Sequence, residues 1–147
     1  MIQRIQSIYV ALAIVLHTIG IFFPWVTYTL DTDAQALQAF ASGWSNNIIL
    51  GVLMVVSILG AIVVLLSFKD RTKQLRLVNV AMGLMAIEFL GFCTLHYLNI
   101  EAAVSDNVSL AYGWPVAVPA VSVVLLWLAK KGIQKDEALV KSVDRLR

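Results

Sequence analysis

Charge is scarce in this sequence of 147 residues: Asp, Glu, Lys and Arg make up 14% of it, against 60% hydrophobic residues. Soluble domains run at roughly one-quarter charged and one-half apolar, so an ordinary water-facing surface does not fit this composition. Cysteine occurs once, as Cys93. A lone thiol excludes, within this chain, the paired cysteines of membrane disulfide-forming enzymes and the outer-loop disulfide of claudin-type four-span proteins. It leaves Cys93 as a small residue packed in a helix. Internal repeats, low-complexity segments and sustained period-2 alternation are also lacking, and the last of these removes a membrane β-barrel. No metal-ligand spacing, Ser–His motif, glycine-rich phosphate loop or paired-acid site is found. No enzyme class therefore gains support, and neither a cofactor nor a metal is expected.

What the chain has instead is length in its apolar runs, with a mean hydropathy of +0.84. Four runs stand out, at about 5–26, 48–68, 77–98 and 114–129. At a rise of about 1.5 Å per residue, about 20 residues cross a hydrocarbon core of roughly 30 Å, so three runs span and the fourth just reaches. Helices satisfy every backbone amide in lipid, and the fold class is an all-α, four-helix transmembrane bundle forming a single domain over 1–147. Pro24, Pro115 and Pro119 all lie toward the same ends of these helices. The first run is expected to stay in the protein: Ala39-Phe40-Ala41 has the form of a cleavage site, but the run is too long and two aspartates separate it from that site.

Orientation follows from where basic residues are missing. All eleven Lys and Arg fall at Arg4, in the loop Lys69, Arg71, Lys73 and Arg76, or from Lys130 to Arg147. The loops at about 27–47 and 99–113 hold none and carry Asp31, Asp33, Glu101 and Asp106. By the positive-inside rule both termini and the middle loop are cytoplasmic. So clean a bias argues against a dual-topology transporter of the small multidrug-resistance kind, which needs nearly balanced loops, and it explains the basic pI without nucleic-acid binding. Trp25, Tyr28, Trp44, Tyr97, Tyr112 and Trp114 at the outer ends, with Trp127 at the inner, read as interfacial anchors.

The first outer loop, DTDAQALQAFASG, has capping residues, alanine-rich helix formers and Gly43 as a stop, which predicts a short helix with Leu37, Phe40 and Ala41 on one face. The tail, KKGIQKDEALVKSVDRLR, places Ile133, Leu139, Val140, Val143 and Leu146 in an approximate stripe opposed by Lys and Arg. Such a helix lies on anionic lipid or docks on a protein partner.

Inside the third run, in the stretch LMAIEFLGF, Glu88 is the only charged residue from Leu77 to Leu98. An ionisable group at that depth costs on the order of 2.5–3.5 kcal/mol on insertion scales and usually faces a bundle interior. Counting inward from the cytoplasmic face puts Glu88 about 16 Å deep and His17 about 18 Å, and on the second helix, counted from the outside, Ser57 falls near the same plane, as Ser122 does on the fourth. The expectation is a central polar layer of His17, Ser57, Glu88 and Ser122, one per helix. Three readings compete: interhelical glue aided by Gly51, Ser57, Gly60, Ala61, Gly83 and Gly91, a proton or substrate path using Glu88 against His17, and a contact between Glu88 and a basic residue of another subunit. His96 lies about 12 Å further out than Glu88, so it is an interfacial histidine and does not pair with His17 around a haem.

The opening MIQRIQSIYVALAIVL with the exit FFPW resembles a Bacteroidota family of short four-span integral membrane proteins of unknown function. The resemblance implies the four-helix layout, a Gram-negative host and an inner-membrane location, and brings no activity with it. Read from the residues, Gln3, Arg4 and Gln6 sit at the cytoplasmic headgroup level. Arg4 sets orientation there, and the glutamines are candidates for a contact with the middle loop or the tail. The leading expectation is a non-enzymatic accessory or assembly subunit that binds another membrane component or a second copy, with the lipid bilayer as its other partner. The alternative is a small proton-coupled carrier using Glu88 and His17. A carrier predicts a polar stripe along a helix, whereas the sequence has a single layer.

Overall fold

A computed structural model describes the backbone of residues 2–23, 25–30, 39–41, 48–104 and 108–144, and the side chains of 5–23, 25–26, 48–98, 112–140 and 142. Four helices form the bundle: α1 (Ile2–Ile21), α2 (Ile48–Leu66), α3 (Arg71–Val104) and α4 (Val118–Asp144), the last led in by a 3-10 turn at Trp114–Ala117. The segments Ile48–Leu66, Arg71–Leu98 and Trp114–Val140 are each long and apolar enough to cross a membrane, and Ile5–Ile21 is a shorter apolar helix. The polarity of the packing is inverted relative to a soluble bundle. Ile5, Ile8, Leu12, Val15 and Ile19 of α1 and Val52, Val55, Val56, Leu59 and Val63 of α2 face outward, while His17 and Glu88 are buried. Lipid is the solvent that such a surface suits, and this is a membrane protein.

Buried positions recur at intervals of four and three residues on every helix. The recurring set is 6, 10, 13, 17 and 20 on α1; 50, 54, 57, 61 and 64 on α2; 74, 78, 81, 85, 88 and 92 on α3; and 122, 126, 129, 133 and 136 on α4, with Gly51, Val118 and Pro119 buried beside it. This 3.5-residue repeat is the seam of left-handed, coiled-coil-like packing. The core is stratified along the bundle. An inner cluster holds Val10, Val64, Val78, Met85, Leu126 and Ile133, with one alanine from each helix, Ala13, Ala61, Ala81 and Ala129. Alanines at the seam let the helix backbones approach closely. An outer cluster holds Trp25, Val26, Leu50, Met54 and Phe92.

Several boundaries differ from the expected ones. α1 stops at Ile21, where Phe22 N–H bonds Ile19 O at 3.1 Å. Pro24 has no N–H to give to a continuing helix. The next element is a strand, β1 (Val26–Leu30), paired antiparallel with β2 (Ala39–Ala41) and β3 (Val108–Tyr112) in the order β2-β1-β3. VTYTL is β-branched and aromatic and alternates with period 2, a strand signal hidden beside a long apolar run. The short helix expected in the first outer loop is corrected to strand over Ala39–Ala41, and the rest of that stretch lies outside the described residues. The segment from Lys130 is not a separate tail helix, because α4 runs unbroken from Val118 to Asp144.

Trp25 is corrected from interfacial anchor to core: it is 1% exposed, its Nε1–H donates to Gly20 O at 3.3 Å, and its ring packs on Phe92 with centroids 5.0 Å apart. Trp127 and Trp114 are exposed, and Lys131 Nζ stands 3.7 Å from the centroid of the Trp127 ring. Trp44 and the Tyr28 side chain lie outside the described residues. Gly83 is not a helix contact, since a Cβ there meets nothing within 4 Å. Gly91 and Gly60 do face neighbouring helices, beside Leu50 and Leu84. Cys93 is exposed rather than packed.

Candidate functional site

Two polar strata interrupt the apolar core. The central one collects His17 from α1, Ser57 from α2, Glu88 from α3 and Ser122 from α4, each at 0% exposure. His17 Nδ1 lies 2.9 Å from Ser122 Oγ, and its Nε2 lies 3.2 Å from Glu88 Oε2. The imidazole thus ties α1 to α4 with one edge and to α3 with the other. Three proton placements fit this frame: a neutral imidazole between a serine donor and a carboxylate, an imidazolium against a carboxylate, and a neutral imidazole accepting from a carboxylic acid. Ser57 is in the stratum but outside the bonded series, and neither its Oγ nor Glu88 Oε1 has a protein partner.

Serine, histidine and carboxylate bonded in series are also the parts of a hydrolase relay. In serine hydrolases that use this relay the carboxylate holds Nδ1 and the serine meets Nε2. Here the two nitrogens are exchanged, and Ser122 is sealed from solvent and lipid alike. As arranged, the series fastens three helices together and exposes no nucleophile. Glu88 faces the bundle interior, so the contact with a basic residue of another subunit loses its geometric premise.

The second stratum closes the end of the bundle where α1 and α3 begin and α2 and α4 approach their ends. Gln6 Nε2 donates to Asp136 Oδ2 at 2.8 Å, Arg71 Nη1 donates to Asp136 O at 3.3 Å, and Gln74 Nε2 donates to Val64 O at 3.3 Å. Gln6, Gln74 and Asp136 are buried. Together with Ser7, Phe68, Arg71 and Ile133 they line a cavity of about 20 Å³, room for one water. Gly132 makes the approach of Gln6 possible: a Cβ there would stand 2.7 Å from Gln6 Cγ.

Of the cytoplasmic trio named from the sequence, Gln6 meets α4, while the side chains of Gln3 and Arg4 lie outside the described residues. Asp136, Gly132 and Gln74 were missed. The four-and-three spacing finds two of them, running past Ala129 through Ile133 to Asp136 and back from Ala81 through Val78 to Gln74, whereas Gly132 lies off that spacing.

Beyond the outer cluster, His96 Nε2 is 2.8 Å from Tyr112 Oη, and its ring stacks on Phe92 at 5.7 Å. It extends the aromatic column that starts at Trp25 and stays apart from His17. No group of three or more His, Cys, Asp or Glu able to hold a metal occurs among the described residues.

Comparison with curated proteins and with solved structures gives no match. A family match does cover almost the whole chain, from residue 2 to residue 146. The protein belongs to the family described as Domain of unknown function (DUF4293).

Proposed function

We propose that the protein is a non-enzymatic inner-membrane protein that acts as an accessory or assembly subunit by binding another membrane component. The observation that carries this reading is the sealing of the central polar layer. Between it and the Gln6–Asp136 stratum lies the inner apolar cluster, and on its other side lies the outer one. Transport needs polar groups in file across the membrane. Here His17 is spent on Glu88 and Ser122, as in an internal fastener that keeps the lipid-facing surface in one shape. A shape held in that way is what a docking subunit requires.

The positive-inside rule supports cytoplasmic placement of both termini. Gln6 near the chain's start and Asp136 near its end meet at one end of the bundle, as an even number of spans demands. The opening Met-Ile-Gln-Arg-Ile-Gln supports a Bacteroidota, hence Gram-negative, origin.

Purification under mild conditions in native lipid discs tests the proposal. A membrane protein recovered in fixed stoichiometry, and lost from the membrane when this chain is deleted, supports it. A chain that emerges alone and monodisperse under every mild condition sinks it. Labelling with a fluorophosphonate probe tests the non-enzymatic half, and Ser122 is expected to stay unmodified.

One observation favours the carrier reading, the two titratable side chains bonded at mid-membrane. It predicts proton flux in liposomes that Glu88→Gln abolishes; flux that persists in that variant removes it.

A further inference from the structure

Hydroxyl side chains on helices have a ready partner in a backbone carbonyl one turn back. Thr18 uses Ile14 O at 2.8 Å, Ser67 uses Val63 O at 2.7 Å and Thr94 uses Leu90 O at 2.9 Å. Ser122 is engaged by His17 instead. Ser57 does neither. Its Oγ is buried without a protein partner, and Glu88 Oε1 is the other buried side-chain N or O atom in that condition among the described residues. Leaving either bare in an interior surrounded by lipid is costly.

The two atoms come from neighbouring helices at one height. α2 and α3 pack antiparallel: a Cβ on Gly91 would meet Leu50 Cδ2 at 3.5 Å, and one on Gly60 would meet Leu84 Cδ1 at 3.6 Å. Three residues outward from that second pair stand Ser57 and Ile87, and Glu88 follows Ile87. Both side chains are bracketed by the same two apolar clusters, Ser57 by Ala61 and Met54, and Glu88 by Met85 and Phe92. Glu88 Oε1 calls for a donor, while the Ser57 hydroxyl has one proton to give and lone pairs to share. Water meets both demands, and a buried water is held by two to four polar partners.

We propose that one water molecule is bound between Ser57 Oγ and Glu88 Oε1. It completes an open chain of Ser57, water, Glu88, His17 and Ser122 that joins all four helices. α1, α3 and α4 are then fastened directly in this stratum and α2 through solvent, which makes α2 the helix this layer holds least.

A double-mutant cycle on the detergent-solubilised protein tests the bridge, using Ser57→Ala, Glu88→Leu and the pair. Ser57→Ala is expected to lower the melting temperature by a few degrees in the parent and by much less beside Glu88→Leu. Strictly additive shifts overturn the bridge. A crystal structure of the unaltered protein from lipidic mesophase is the second measurement, independent of whether Glu88→Leu folds. Density within hydrogen-bonding distance of both atoms upholds the proposal, and a Ser57 hydroxyl turned onto the Leu53 carbonyl with no density between the side chains overturns it.

Discussion

His17 is the residue on which the interior depends, because its one side chain bonds two other helices. Removing it leaves the buried Glu88 Oε2 without its partner, a loss that costs about 1–3 kcal/mol for a neutral group and about 3–5 kcal/mol for an ionised one. We predict that His17→Ala destabilises the bundle by that order in reversible SDS unfolding, and that Ser122→Ala costs about 1–2 kcal/mol, the usual worth of an interhelical hydrogen bond in lipid. Equal and small effects of the two would mean that the series is incidental to stability. Gly132 offers a second residue-level test. Its added methyl would meet Gln6 Cγ at 2.7 Å, so Gly132→Ala is expected to break the Gln6–Asp136 bond and cost about 1–3 kcal/mol, as overpacking does. Placing Gln6→Ala in the same chain should relieve most of that strain, and a double variant as unstable as the sum of the two singles would refute the contact.

Among the elements, α3 has the clearest local start. Asp70 Oδ1 accepts from Lys73 N–H at 3.1 Å, the geometry of an N-cap, and Lys73 Nζ lies 3.5 Å from Asp70 Oδ2. The backbone bond from Lys73, helped by the charge of its ammonium, holds the Asp70 carboxyl below its ordinary value of 3.8. Because the folded form keeps the carboxylate ionised more readily than the unfolded one, the cap's contribution is complete above about pH 4 and fades as pH falls through the depressed value. Protection of the Lys73 amide, measured against its intrinsic exchange rate at each pH, is therefore expected to fall in acid, and Asp70→Asn, which keeps a cap oxygen, should remove that pH dependence. The alanine seam makes the complementary prediction for element packing. Ala81→Leu forces α3 away from its neighbours and should cost about 1–3 kcal/mol, whereas Val124→Leu on the lipid face should be near neutral. The helices themselves were legible from hydropathy, but their ends were not. α3 reaches from Arg71 to Val104 and α4 to Asp144 because helices outlast the apolar run once they leave it, and hydropathy reports only the part that lipid covers.

For the whole molecule, the placement of charge predicts a topology that labelling can check. In a chain with Cys93→Ser, a cysteine at Lys69 should react with an impermeant maleimide only after the membrane is opened, and one at Tyr112 should react without that step. The reverse pattern would invert the proposed orientation.

Composition and the four apolar runs by themselves determined that the chain spans a membrane as helices, because no other regular backbone satisfies its amides over such lengths in lipid. Counting residues from each membrane face also put His17, Glu88, Ser57 and Ser122 near one depth, since helical rise is a constant. Depth, however, is not direction. Which way each helix turns its seam, and hence that His17 reaches Glu88 and Ser122 while Ser57 does not, was decided by packing of the four helices against one another. The same holds for Asp136. A charged residue in a basic tail reads as solvated, and only the continuation of α4 alongside Gln6 and Gly132 places it inside.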